Sequence, residues 1–117
     1  MQTVRIWNRT KNALLGESIG VANTSWSRMK GLLGREGLES GTGLLIVPSQ
    51  AVHTIAMRFP IDVLFLDRKS RVIHAQPSLV PYRVTAVHWR AHFVLELPVG
   101  VIAQTSTSVG DELLIEE

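Results

Sequence analysis

The chain has 117 residues, a formal net charge of +2 and no cysteine, which excludes disulfides and thiolate chemistry. With 45% hydrophobic and 19% charged residues it has the composition of a folded globule, not of a disordered chain. No segment approaches the roughly 20 apolar residues that a membrane span requires. The N-terminus shows no signal-peptide pattern either. We therefore expect a single domain over residues 1–117, in the cytoplasm and not in a membrane.

The N-terminal third predicts two strands and a helix. Residues 4–9 alternate apolar and polar side chains, which is typical of a strand with one wet face, and residues 14–22 predict a second strand. Thr24 or the serine after it can cap a helix near 25–33, and Gly34 suits its end. Apolar side chains that follow helical spacing are Trp26, Met29, Leu32 and Leu33, and we expect Trp26 in the core.

The rest of the chain predicts strands. Short apolar runs bounded by proline, glycine or polar turns lie at 44–47, 52–57, 61–67, 71–75, 92–97 and 112–115. In residues 61–67 apolar side chains point to both faces of the predicted strand, so this strand should be interior and covered on both faces. About seven strands and one short helix predict a mainly β fold, α+β only in a minor sense. The expected architecture is a β-sandwich, jelly-roll-like, or a small barrel.

Several sequence blocks are familiar when taken together. They are Gly31-Leu32-Leu33-Gly34-Arg35, Gly43-Leu44-Leu45-Ile46, Met57 to Asp67, Val94 to Gly100, and Gly110-Asp111. With these blocks in this order, the chain from about residue 22 to 115 resembles the family called domain of unknown function 192. The resemblance implies a compact β-sandwich, jelly-roll-like, with a short helix near its start. It implies no established activity.

This chain also departs from the family pattern in two ways. Many members are similar to Phe-Trp-Met where this chain has Ile55-Ala56-Met57, so no ligand-stacking tryptophan is carried over to this block. Many members also carry an export signal that is missing here. The resemblance therefore implies a cytoplasmic branch of the family.

The richest polar segment runs from His53 to Asp62. If residues 52–57 are extended, His53 and Met57 share one face and Thr54 lies on the other. Asp62 opens an apolar strand, where an unpaired carboxylate is costly, so it requires donors. One interpretation is that His53 and Asp62 converge as an acid–base pair or ligand clamp. The interpretation we favour is that Asp62 caps the preceding turn and His53 bonds a backbone carbonyl.

Glu96 is a second lone carboxylate, inside the apolar run 93–97. Asp62 and Glu96 could act as acid and base in hydrolysis if their separation suited it. We favour a salt bridge from Glu96 to Arg35 or Arg58, because a single buried charge is costly.

The four histidines do not predict a metal site. His88 and His92 are spaced i, i+4 and could share a face, with His74 or His53 as a third ligand. Zinc requires three or four ligands, and a bare histidine pair is a weak signal. The sequence therefore predicts no metal and no cofactor.

The leading hypothesis is a non-catalytic binding or accessory module with a small cleft near His53, Met57 and Asp62, because no complete catalytic set is visible. Its partner would be a small ligand or a protein. The alternative is a small hydrolase or metal-assisted enzyme that uses His53 and Asp62. A second alternative is a weak nucleic-acid-binding module using the regions 5–9 and 28–35. It is disfavoured because aromatic residues make up only 6% of the chain.

Overall fold

The computed structural model describes residues 2–117 as seven strands and two short helices. The elements in chain order are β1 (Thr3–Asn8), β2 (Ala13–Ala22), α1 (Ser25–Lys30), β3 (Thr42–Ile46), β4 (Ile61–Leu66), β5 (Val72–Leu79), β6 (Phe93–Pro98), α2 (Val101–Thr105) and β7 (Leu113–Glu116). The predicted mainly β class and the predicted number of strands are confirmed. Neither helix is long and apolar enough to cross a membrane.

All seven strands belong to one sheet with the order β5-β4-β6-β3-β2-β1-β7. Neighbouring strands are antiparallel except β2 and β3, which are parallel. The sheet curls so that its two edge strands approach each other at one end, where Arg71 and Glu112 form an isolated β-bridge and the Val72 amide donates to the Asp111 carbonyl at 2.9 Å. The architecture is therefore a half-barrel, which corresponds to the barrel alternative. Residues 2–117 do not form the two stacked sheets of a sandwich.

The sheet is buried on both faces. Side chains from all seven strands and Ile102 of α2 form the inner core. The outer core lies on the convex face and includes Leu44, Val63 and Phe65. All six residues of β4 are buried, and the strand lies between β5 and β6. The prediction of an interior strand at residues 61–67 is thus confirmed.

Three connections cover the outer face. Since β2 and β3 are parallel, the chain must cross over between them, and this crossover carries α1 and Leu32. The β3–β4 connection contributes Val52 and Met57, and the β5–β6 connection contributes Ala91. These connections, and not a second sheet, complete the outer core.

Helix α1 is shorter and more exposed than predicted. Thr24 caps it, as expected, since its side chain accepts from the Ser27 amide at 3.0 Å. The helix ends at Gly31, whose φ of +49° suits glycine, and not at Gly34. Trp26 is 71% exposed, so its prediction as a core residue is wrong, and Met29 is 68% exposed as well. This six-residue helix has no buried side chain, so the contact with the outer core is made by residues that follow it, such as Leu32.

The strand predicted at residues 52–57 is also wrong. This segment is irregular, because its buried residues Val52, Thr54 and Met57 do not keep the period of two that a strand requires. Its backbone instead bonds the β5–β6 connection, where the Thr54 amide donates to the Arg83 carbonyl at 2.8 Å. The two connections therefore hold each other over the outer face.

Asp62 joins β4 to the unpredicted helix α2. Asp62 is only 1% exposed. One of its carboxylate oxygens accepts hydrogen bonds from the Gly100 and Ile102 amides, at 3.1 and 2.9 Å. The other oxygen accepts from the Ser78 amide at 2.9 Å. The prediction that Asp62 caps the turn before β4 is wrong, because these donors come from segments distant in the sequence. Asp62 therefore satisfies backbone groups of the folded chain.

Replacing Asp62 with alanine will lower the free energy of unfolding by about 3 kcal/mol, because each buried N–H left without an acceptor costs about 1–3 kcal/mol. Urea unfolding monitored by circular dichroism measures this loss. Asp67→Ala is the matched control, since Asp67 accepts from the Lys69 and Arg71 amides in an exposed turn where water can substitute. Its loss will stay below about 1 kcal/mol. Equal losses for the two variants would contradict the role assigned to Asp62.

Candidate functional site

A cleft of about 340 Å³ opens over the outer face of the sheet, between α1 and the β3–β4 connection. Its walls are largely apolar and include Leu32, Ile46, Val52 and Met57. Glu96 of β6 lies at the bottom. We call this space the Glu96 cleft.

The position of Glu96 follows from strand register. It lies opposite Leu44 of β3 and Val63 of β4, which both belong to the outer core. Cross-strand neighbours share a face of the sheet, so the Glu96 side chain points to the convex side. The residue is only 3% exposed. It therefore presents a carboxyl group to the bottom of a cleft whose walls are largely apolar.

Glu96 has no protein partner within residues 2–117. None of the hydrogen bonds or salt bridges in that range includes its side chain. Burial raises the pKa of the Glu96 carboxyl to about 7, because no opposite charge offsets the loss of water. At neutral pH both protonation states are populated, so this group can donate or accept a proton.

The predicted salt bridge from Glu96 to Arg35 or Arg58 is not formed within residues 2–117. Arg58 pairs instead with Glu36, at 3.3 Å between Nη1 and Oε1. Arg35 lines a separate depression beside Trp26 and Gly34, and the Glu96 cleft does not include it. Both arginines remain near solvent, where a charge is best hydrated, whereas Glu96 is fixed in the sheet.

Of the segment predicted to form the site, His53 and Met57 line the cleft. Met57 is buried in the wall and His53 is exposed at the edge. Thr54 is fully buried and serves the structure: its hydroxyl donates to the Val80 carbonyl at 2.6 Å and accepts from the Arg83 amide at 2.9 Å. The cleft therefore brings His53 and Met57 together with Glu96, and Thr54 is not among the residues that line it.

Asp62 does not belong to this cleft. It pairs with Leu97, an inner-core residue, so it lies on the face of the sheet opposite to Glu96. The His53–Asp62 and Asp62–Glu96 pairs considered from the sequence are consequently not formed. The side-chain period of two decides this, because residues 62 and 96 fall on opposite sides of adjacent strands.

Sequence reasoning missed the cationic side of the cleft. Arg28 and Lys30 of α1 both line it. Arg28 Nη1 donates to the Pro48 carbonyl at 3.1 Å, and its Nε is the only side-chain nitrogen or oxygen in residues 2–117 that is both inaccessible to solvent and without a partner. No local signal places these cations near Glu96, because their position depends on the parallel pairing of β2 and β3.

The histidines are distributed over separate aromatic contacts. His74 and His88 stack at 4.4 Å between ring centroids, and His88 lies 4.3 Å from the ring of Phe65. Burial and then the neighbouring His74 lower the pKa of His88. His92 packs edge-on against Phe93. The part of the chain that the structure describes contains no group of three or more potential metal ligands.

Comparison with known proteins agrees with the sequence blocks. The family model for domain of unknown function 192, described as an uncharacterized ACR family, matches residues 6–115. The chain belongs to this family. This member is 29% identical over 111 residues to a UPF0127 protein of Thermococcus sibiricus, covering 91% of this chain and 71% of that one. It is 26% identical to a UPF0127 protein of Pyrococcus horikoshii, with 92% and 96% covered.

Two solved structures share the fold of this family member. One is a protein of unknown function from Novosphingobium aromaticivorans, with a TM-score of 0.81, 22% identity, and 96% and 83% of the two chains covered. The other is a candidate transcription regulator from Sinorhizobium meliloti, with a TM-score of 0.83, 20% identity, and 96% and 91% covered. At these identities the similarity shows the fold alone.

The raised pKa of Glu96 predicts how stability depends on pH. Its folded value of about 7 exceeds the ordinary value of 4.5, so the folded state binds more protons between these limits. The free energy of unfolding must therefore fall as pH rises from about 4.5 to 7, by about 3 kcal/mol. Glu96→Gln will remove this decrease, whereas Glu116→Gln, at an exposed position of β7, will retain it.

Urea unfolding of the three proteins from pH 4.5 to 8 measures the effect. Parallel pH profiles for the natural protein and Glu96→Gln would show that the Glu96 carboxyl ionises as easily in the folded state as in the unfolded state.

Proposed function

We propose that this protein is a non-catalytic binding module whose small ligand enters the Glu96 cleft. The observation that supports the proposal is the buried Glu96 carboxyl, which has no protein partner and opens to the cleft. A buried polar group without a hydrogen bond costs free energy, and a bound ligand can supply the missing bond. The proposed location is the cytoplasm, which the absence of cysteine favours.

The size and lining of the cleft fit a small molecule. Its volume of about 340 Å³ falls at the lower end of the range of roughly 300–1,000 Å³ for ligand pockets. Apolar walls with a few polar groups are also the usual composition of such pockets. We therefore keep the hypothesis of a binding module, and we propose Glu96 instead of Asp62 as the carboxyl group of its cleft.

An enzyme is the second candidate, for one specific reason. A carboxyl group with a pKa of about 7 is suited to general acid–base catalysis at neutral pH, and His53 lies at the edge of the same cleft. The catalytic pair would then be His53 and Glu96, not His53 and Asp62. Binding is preferred because, within residues 2–117, no serine hydroxyl that lines the cleft is hydrogen-bonded to His53 or Glu96, as an activated nucleophile would be; the Ser49 hydroxyl, for example, donates to the Ala51 carbonyl.

Nucleic-acid binding receives less support. The two basic regions belong to separate elements, since Arg5 lies in β1 whereas Arg28 and Lys30 lie in α1. Trp26 and Trp89 are exposed next to basic residues, but they too lie on different segments. The proposal therefore remains with a small ligand.

A fragment screen by ¹H–¹⁵N NMR tests the proposed function. We expect binders that shift the backbone amide signals of Leu32, Val52 and Glu96. Glu96→Gln will weaken their affinity about tenfold, equivalent to about 1.4 kcal/mol. Glu116→Gln will bind as the natural protein does, because it makes the same chemical change on β7.

Two outcomes would contradict the binding proposal. One is a screen in which no fragment shifts the amides around the cleft. The other is turnover of a cleft-binding fragment that Glu96→Gln abolishes, which would establish the enzyme instead.

A further inference from the structure

The Glu96 cleft has an acid at its bottom and cations near its opening. Glu96 is the one acidic residue among the described residues that line the cleft. Arg28, Lys30 and His53 line it as well, and these residues are partly or fully exposed whereas Glu96 is 3% exposed. A ligand that enters therefore meets positive charge first and a carboxyl group last.

The Arg28 side chain, which lines the cleft, also has a polar atom without a partner. The Arg28 guanidinium is fixed by the bond from Nη1 to the Pro48 carbonyl, yet its Nε–H is buried without an acceptor. An arginine N–H can only donate a hydrogen bond. Arg28 can therefore bind a hydrogen-bond acceptor, whereas an ionised Glu96 requires a hydrogen-bond donor.

The surface between these groups is apolar. Leu32, Val52 and Met57 are all buried in the outer core and line the cleft. Apolar walls favour a ligand body with no polar groups, since polar groups placed there would lose their hydrogen bonds to water. The cleft therefore presents three successive chemical environments.

On the basis of the proposed function, we infer that the ligand is a small amphoteric aliphatic molecule. A cationic N–H donor group binds Glu96, an apolar chain contacts Leu32 and Met57, and an anionic acceptor group binds Arg28 and Lys30. A simple amine would offer no anionic acceptor to Arg28 and Lys30 and would be repelled by these cations. A simple carboxylate could satisfy the cations but would leave Glu96 without its donor.

Three matched probes of equal chain length test this inference: 6-aminohexanoate, hexylamine and hexanoate. Isothermal titration at pH 8, where Glu96 is largely ionised, gives their affinities. We expect 6-aminohexanoate to bind about tenfold more tightly than either singly charged probe.

Variants separate the two ends of the ligand. Glu96→Gln will abolish the preference for 6-aminohexanoate over hexanoate and leave its preference over hexylamine. Lys30→Gln, a change at an exposed position, will reduce the preference over hexylamine and leave the one over hexanoate. Glu116→Gln is again the control and will retain both preferences.

The outcomes distinguish this inference from the function on which it rests. If hexylamine or hexanoate binds as tightly as 6-aminohexanoate, the amphoteric ligand is excluded. If none of the three binds but other fragments bind at Glu96, the ligand class is wrong and the binding function stands. If no fragment binds at Glu96 either, both are wrong.

Discussion

The structure depends on burying both faces of a single sheet. Curling lets the inner face cover itself, because side chains from all seven strands and α2 meet in one core. The outer face has no second sheet to cover it, so the connections between strands must do so. Irregular segments pack less uniformly than a sheet, since their backbone groups need partners of their own. A cleft over the outer face is a natural consequence of this arrangement.

The two carboxylates of adjacent strands show how much the face of a sheet matters. Asp62 faces inward and accepts from three backbone amides, so its charge is fully engaged. Glu96, one register position away, faces outward into the cleft, and no hydrogen bond or salt bridge within residues 2–117 includes its side chain. The same chemical group therefore stabilises the fold on one side of the sheet and remains available for a ligand on the other. Sequence position alone did not distinguish them.

Periodicity predicted most strands because each carries its own pattern. The interior strand Ile61–Leu66 is a clear case, since its apolar residues on both faces correspond to the two cores. What the sequence could not supply was long-range pairing. The parallel contact of β2 with β3 brings α1 over the outer face and places Arg28 beside the cleft. The strand predicted at 52–57 is wrong for a related reason, because the long-range hydrogen bonds of this segment go to residues 80–85 and not to a sheet.

An energetic comparison supports a functional role for Glu96. Keeping its carboxyl ionised at neutral pH costs about 3 kcal/mol, while a domain of this kind is typically stable by only about 5–15 kcal/mol. A leucine at this site would match Leu44 and Val63 and would avoid the cost. Within residues 2–117 no structural contact offsets it, in contrast to Asp62. A group in a cleft that destabilises the ligand-free protein is expected to act on a ligand. Binding stabilises the folded state, because the ligand supplies the partner that the folded protein lacks.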